Sequence, residues 1–202
     1  MAVAQLRRYS AKSSNQLETK SDAILAQEAT HDPNAFATLY LRYANQVFRH
    51  CYRRLGNREA AEDATSLVFT KTLTGLDRFD PNRGTFAAWL FTIAHHVSAD
   101  HFRSQGRYVG AQEFPDPVDP AETPEEIALA RDEAGNLRRA LEQLSPRERE
   151  VIELRLAGLS SAEISDVLGC QRNAVAQAQY RAIGRLRDLL GPEAAQRGRN
   201  DV

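Results

Sequence analysis

The sequence predicts an all-α fold: two small helical domains joined by a flexible acidic linker, the second carrying a helix-turn-helix. Apolar residues recur at three- and four-residue steps near both ends of the 202-residue chain. Between them lies a stretch dense in Gly, Pro and acidic residues. Finally, residues 145–191 contain two helix-capping sequences and a glycine turn ahead of a long last helix.

Residues 1–20 are polar and weakly basic and are expected to be a disordered tail. Ser21 to about Thr30 makes a short first helix. Phe36, Leu39, Tyr40, Tyr43, Val47, Phe48, Cys51 and Leu55 then lie at helical spacing up to Gly56, and this aromatic stripe belongs to a core. Asn57 can cap a third helix reaching about Gly75, with Ala60, Ala64, Leu67 or Val68, and Leu73 available for packing. Glu59, Glu62 and Asp63 stand in its first turns, where carboxylates offset the helix dipole. A loop, Phe79 to Gly84, leads to Thr85 as cap of a fourth helix with Phe86, Leu90, Ile93 and Val97 inward. Trp89 sits on the edge of that stripe, and its spacing from Ile93 favours core packing over base stacking.

The first domain therefore spans 21–106 and the linker 107–123, where Gly110, Pro115, Pro117 and Pro120, just after Gly106, exclude continuous helix or strand. The second domain spans 124–191, followed by a tail, 192–202. Its first clear helix opens at Ser145-Pro146-Arg147-Glu148: a hydroxyl cap, a proline at the first helical position and a carboxylate that returns the capping bond. Val151, Ile152, Leu154, Leu156 and Ala157 follow, ending near Gly158. Ser160 to Glu163 is a second capping box, for a short helix through Leu168, and Gly169 allows the sharp turn. From about Gln171 the last helix carries an inward stripe of Val175, Ala178, Ala182, Leu186 and Leu189 until Gly191-Pro192.

The opposite face of that helix carries Asn173, Gln177, Tyr180 and Arg181. Amides and guanidinium groups bond bidentately to adenine and guanine edges in the major groove, and residues near the start of such a helix reach bases most readily. Asn173 and Gln177 are the candidates for base edges, Arg181 for a guanine or a phosphate, and Arg172, Arg185 and Arg187 for the DNA backbone. The alternative is a solvated face on an ordinary helical hairpin, which does not call for two capping boxes and a long terminal helix.

Charge is divided unevenly. Residues 1–106 hold 13 Lys+Arg against 10 Asp+Glu, and residues 135–202 hold 11 against 9, whereas residues 107–134 hold 2 against 8. So thin a positive excess at the two ends implies modest non-specific DNA affinity and reliance on a larger partner to hold the protein on DNA. The 17-residue linker reaches at most about 55–60 Å when extended, the length of some sixteen base pairs, so the domains can read separate sites.

No long apolar run and no lipidation signal is present, so membrane insertion is not expected and a cytoplasmic location is. Cys51 and Cys170 read as buried thiols. His95, His96 and His101 lack the spacing that would put them together on one helix face, so no metal is expected, and no cofactor motif appears. Nor does any spacing supply a nucleophile with its base, a phosphate loop or a carboxylate dyad, so an enzyme is not expected.

Three segments in order, GNREAAEDATSLVF, RFDPNRGTFAAWLFTIAHHVSADHFR and LEQLSPREREVIELRLAGLSSAEISDVLG, resemble the two-domain bacterial extracytoplasmic-function (ECF) sigma factors of RNA polymerase. The resemblance runs from about Asp32 to Leu190. It implies a non-catalytic subunit that joins core polymerase, recognises the −10 element with its first domain and the −35 element with its second, and assists promoter opening. It implies the polymerase β′ clamp helices and β flap as contacts, promoter DNA as ligand, and an anti-sigma factor as the inhibitory partner such proteins commonly have.

By the same resemblance Glu62, Asp63, Ser66 and Leu67 dock on the clamp helices, after the Ala61-Glu62-Asp63 signature. Ser66 and Leu67 replace the family's Gln-Glu pair, which leaves a more apolar or a weaker docking face. The loop from Phe79, with Asn82 and Arg83, would take a base extruded from the −10 element, and His96, Asp100 and Arg103 would flank the strand leaving it. His96 stands where asparagine is common. In the last helix, Ala174 and Ala176 occupy positions that are commonly basic, so −35 readout would lean on Gln177, Tyr180 and Arg181. The acidic linker would thread towards the polymerase cleft, or act only as a tether. Two other readings fit the residues alone: a helix-turn-helix regulator with an N-terminal dimerisation or sensor domain, and a helical adaptor that has lost DNA readout.

Overall fold

The computed structural model describes residues 19–105 and, apart from residue 138, residues 136–191; side chains in the first segment are described to residue 101. The expected tail and linker, the start of the second domain at 124, the side chain of Arg103, and the C-terminal tail lie outside these residues. The described elements are α1 (Asp22–Glu28), α2 (Pro33–Leu55), α3 (Arg58–Gly75), a 3-10 turn (Leu76–Arg78), α4 (Phe86–Gln105), α5 (Pro146–Leu156), α6 (Ser161–Val167) and α7 (Arg172–Leu190). Among the described residues there is no strand.

Helix boundaries follow from local chemistry. Asp32 caps α2 by accepting from the Asn34 backbone N–H at 2.9 Å, Pro33 takes the first turn, and Gly56 closes the helix at φ 69°, a conformation that disfavours a Cβ. Asn57 accepts from the Ala60 N–H and opens α3. Thr85 accepts from the Ala88 N–H at 3.2 Å and opens α4. Ser145 and Ser160 form full capping boxes with Glu148 and Glu163. Gly169 turns the chain from α6 towards α7 at φ 58°.

In the first domain α2, α3 and α4 pack on one another, with Leu39, Val47, Val68, Leu90 and Phe91 fully buried. Each such side chain contributes about 1.5–3 kcal/mol by leaving water. The aromatic stripe of α2 lies against this core, with the Tyr40 ring 4.6 Å from Phe69 and the Tyr43 ring 5.6 Å from Phe86. The Tyr43 hydroxyl donates to Asp22, and Arg42 Nη1 meets the same carboxylate at 2.5 Å, tying α1 to α2.

Several apolar positions differ from the sequence expectation. On α3, Leu67 and Leu73 are exposed, while Val68, Phe69 and Thr72 face inward. The threonines bury because they satisfy their own hydroxyls, Thr65 on the Ala61 carbonyl and Thr72 on the Val68 carbonyl. Leu156 and Leu189 are also exposed, each near a helix end where none of the described residues covers it. Phe91, which the inward stripe of α4 did not include, is fully buried.

The two halves pack on each other as well. α4 packs along α6, α2 touches α5, and one buried cluster contains residues of both halves, among them Leu90, Phe91, Leu154 and Ile164.

Candidate nucleic-acid and polymerase interfaces

On α7, Val175, Ala178 and Ala182 are buried, so the helix turns Arg172, Asn173, Gln177, Tyr180 and Arg181 outward, and all five are exposed. Tyr180 is 82% exposed. Two arginines are drawn aside. Arg185 Nη1 lies 3.2 Å and Arg181 Nε 3.9 Å from the buried Glu148 carboxylate. Burial opposes ionisation of Glu148, but the bonds from Ser145 and the two arginines prevail and hold its carboxyl below the usual range.

The loop before α4 borders a recess of about 300 Å³ lined by Arg78, Phe79, Asp80, Arg83, Thr85, Trp89 and, from α6, Asp166. Asp80 sets the loop by accepting from the backbone and side-chain nitrogens of Asn82, at 2.9 and 3.0 Å. Phe79 is half-buried, edge-on to Phe86 and 5.5 Å from Trp89. Its ring therefore builds the wall of the recess, and Trp89 packs in that wall as its spacing suggested. Arg83, His96 and Asp100 are exposed; Arg103 lies on α4. Arg78 and Asp166, outside the predicted loop, were not expected at this place, and Asp80 was expected only as part of the loop.

The outer face of α3 gathers Glu62, Asp63, Ser66 and Leu67, all exposed, and extends to Thr70 and Leu73. Glu62 pairs with Arg58 at 2.7 Å on the same helix face, a contact worth little at such exposure. Leu67 and Leu73 give the face two apolar side chains without a cover among the described residues.

Polar contacts join the halves. Glu163 shares its carboxylate between its own capping box and Thr85, whose Oγ1 donates at 2.6 Å. Burial works against the charge of Glu163, yet the bonds from Thr85 and Ser160 hold its carboxyl below the usual range. Arg54 lies 3.5 Å from Glu153 and 3.8 Å from Glu150, and His95 Nε2 lies 4.0 Å from Glu150. Burial raises the Glu153 carboxyl, against the pull of Arg54 and Arg53. Burial likewise lowers His95, and it drives the fully buried His50, whose ring nitrogens have no hydrogen-bond partner among the described residues, well below its usual value. None of these contacts has a local sequence signal; Glu163 was legible as a cap, but its second partner stands 78 residues away.

Among the described residues no group of three or more His, Cys, Asp and Glu is placed to hold a metal, and no helix is long and apolar enough to cross a membrane. Cys51 is buried, and burial raises its thiol; Cys170 is half-buried, and both are free.

Two helical domains with a helix-turn-helix in the second, its terminal helix exposing amide and guanidinium groups, define a DNA-reading protein. Family models of Sigma-70 region 2 and Sigma-70 region 4 match residues 39–108 and 134–186. The chain is 36% identical over 167 residues to the ECF RNA polymerase sigma factor BldN of Streptomyces coelicolor, which covers 81% of this chain and 63% of that protein's length. It is 33% identical over 176 residues to SigD of Mycobacterium tuberculosis, covering 84% and 83%. In shape it is similar to CnrH solved in complex with the cytosolic domain of CnrY, at a TM-score of 0.66 and 28% identity over 85% of this chain and 97% of that one. The chain belongs to the ECF family of RNA polymerase sigma factors. As a member of that family it is a sigma factor, a subunit that directs transcription initiation, with RNA polymerase and promoter DNA as its partners.

Proposed function

We propose that the α3 face of Glu62, Asp63, Ser66 and Leu67 docks on the β′ clamp helices, that the recess before α4 receives an extruded −10 base, and that α7 reads the −35 element. The observation that carries this assignment is the division of α7 into a fully buried apolar stripe and an exposed face bearing Asn173, Gln177 and Arg181. At the recess, an extruded base costs a few kcal/mol of lost stacking and pairing. Arg83 and the polar loop supply hydrogen bonds to offset that cost, with the Phe79–Trp89 wall beneath them. The protein has no catalytic role of its own and works in the cytoplasm.

Reading both elements requires the domains to part. Thr85 at the recess holds Glu163 of α6 at 2.6 Å, whereas sites some sixteen base pairs apart lie about 55 Å from each other. The described arrangement is therefore a closed form, which polymerase and promoter pull open. An anti-sigma factor would act by holding it shut, and the similar protein CnrH was solved in complex with the cytosolic domain of CnrY.

The test is transcription by core polymerase and this chain on promoters mutated at one element at a time. Gln177→Ala should cut dependence on one −35 base by about 1–3 kcal/mol, or roughly five- to 150-fold, without changing −10 dependence. Arg83→Ala should do the reverse. Equal loss from both variants on every promoter would contradict the assignment.

A further inference from the structure

One side chain of the second domain touches all three parts of the helix-turn-helix. Arg155, in the last turn of α5, donates from Nη1 to the Leu159 carbonyl in the first turn at 2.8 Å. From Nη2 it donates to Ser161 Oγ, on the first residue of α6, at 2.6 Å and to Gln179 Oε1 on α7 at 2.9 Å. Seven residues earlier on α5, Glu148 holds Arg185 of α7 at 3.2 Å, and between the two ties Ile152 shares a buried cluster with Ala182. Rising numbers on α5 meet falling numbers on α7, so the two helices run antiparallel with a polar tie at each end of an apolar seat.

Such a seat alone sets register weakly. Ala178 and Ala182 present small, smooth surfaces that permit sliding and rolling, and side-chain fit supplies little directional force. The charge-assisted bonds of a planar guanidinium do have direction. Gln179 lies two residues from Gln177, about 200° around the helix, so the inward tie at 179 fixes the roll of the outward face. At a radius of about 6 Å, a roll of about 20° moves a side-chain tip about 2 Å, enough to break a hydrogen bond to a base edge.

We propose that Arg155 is a positioning residue for −35 specificity: through Gln179 it sets the roll and register of α7 against α6, and so determines which bases Asn173 and Gln177 meet. The proposal rests on the −35 reading of α7. Arg155 itself faces the interior of the helix-turn-helix and touches no DNA in this role. Lysine keeps the charge but cannot bond three groups as a fork.

The experiment uses full-length protein with core polymerase on two promoter libraries, one randomised at the −35 element and one at the −10 element, with transcripts counted by sequencing. Arg155→Lys should flatten −35 preference by about fivefold or more, the lower end of the value of one base contact, and leave the −10 profile unchanged. Gln179→Ala, at a half-exposed position, should reproduce that pattern, and the pair Arg155→Lys with Gln179→Glu should recover part of the preference by restoring a charged tie. An unchanged −35 profile in both single variants would overturn the proposal, as would a proportionate loss in both libraries, which marks general damage to the domain. A flat −35 profile in the wild-type protein would overturn the −35 reading itself and the proposal with it.

Discussion

Replacing Arg54 with Met tests how the two halves are held together. In the closed form Arg54 lies 3.5 Å from Glu153, whose side chain is 3% exposed, and 3.8 Å from Glu150. At an effective dielectric of about 20, unit charges that far apart attract by about 4–5 kcal/mol before the cost of desolvation. Removing the guanidinium leaves Glu153 buried beside Glu150 with its main counter-charge gone, a change that typically costs about 3–5 kcal/mol. The chain can escape that cost by protonating Glu153, whose carboxyl burial already raises, or by letting the domains part so that Glu153 reaches water. At pH 8 the second route is favoured. Small-angle scattering of Arg54→Met should therefore give a larger radius of gyration than wild type, contracting again as pH falls towards 5. Adding Glu153→Gln should restore the compact form at pH 8, because an amide carries no charge to expose. Identical scattering and melting for wild type and Arg54→Met at pH 8 would show that Arg54 does not hold the halves together.

Three further outcomes rest on other parts of the structure. His50→Leu replaces a buried ring whose nitrogens lack hydrogen-bond partners among the described residues, and should raise stability at pH 7 by about 1 kcal/mol in urea titrations. Because burial holds the His50 pKa well below its usual value, the unfolded chain binds a proton near pH 6.5 that the folded one refuses. Wild type should thus lose stability relative to His50→Leu as pH falls below about 6.5, by up to about 1.4 kcal/mol per unit; Glu153, with its raised carboxyl, pulls the opposite way in both proteins and cancels in the difference. Ser145→Ala and Ser160→Ala each remove a capping box and should each cost about 1 kcal/mol by the same titration. Leu67→Ser, at an exposed position, should leave melting unchanged yet weaken capture of core polymerase about tenfold or more in a surface-binding assay, the value of one buried leucine.

Legibility in the sequence tracked how local the cause was. Both capping boxes, the Asn57 cap and the turns at Gly56 and Gly169 rest on residues within a few positions of one another, and all appear where the pattern put them, whereas the Asp32 cap of α2 emerged only in the structure. Apolar spacing identified the inner face of α7 as far as Ala182 but wrongly extended it to the exposed Leu189, and it misassigned Leu73, because on α3 the threonines hide their hydroxyls against the helix and take the inward places. Phe79 was legible as part of the loop, but not as the wall of the recess, since that depends on Phe86 and Trp89 meeting it from the next helix. The contact of Thr85 with Glu163 and that of Arg155 with Gln179 were not legible at all. Each joins elements whose proximity only the completed packing creates.

The central claim is tested most directly by mixing the purified chain with core RNA polymerase and genomic promoter fragments and mapping the 5′ ends of the transcripts. New start sites should appear that share sequence at both −10 and −35 and that vanish without the protein. If the chain binds core polymerase yet produces no discrete start sites, or starts that share neither element, the account is contradicted.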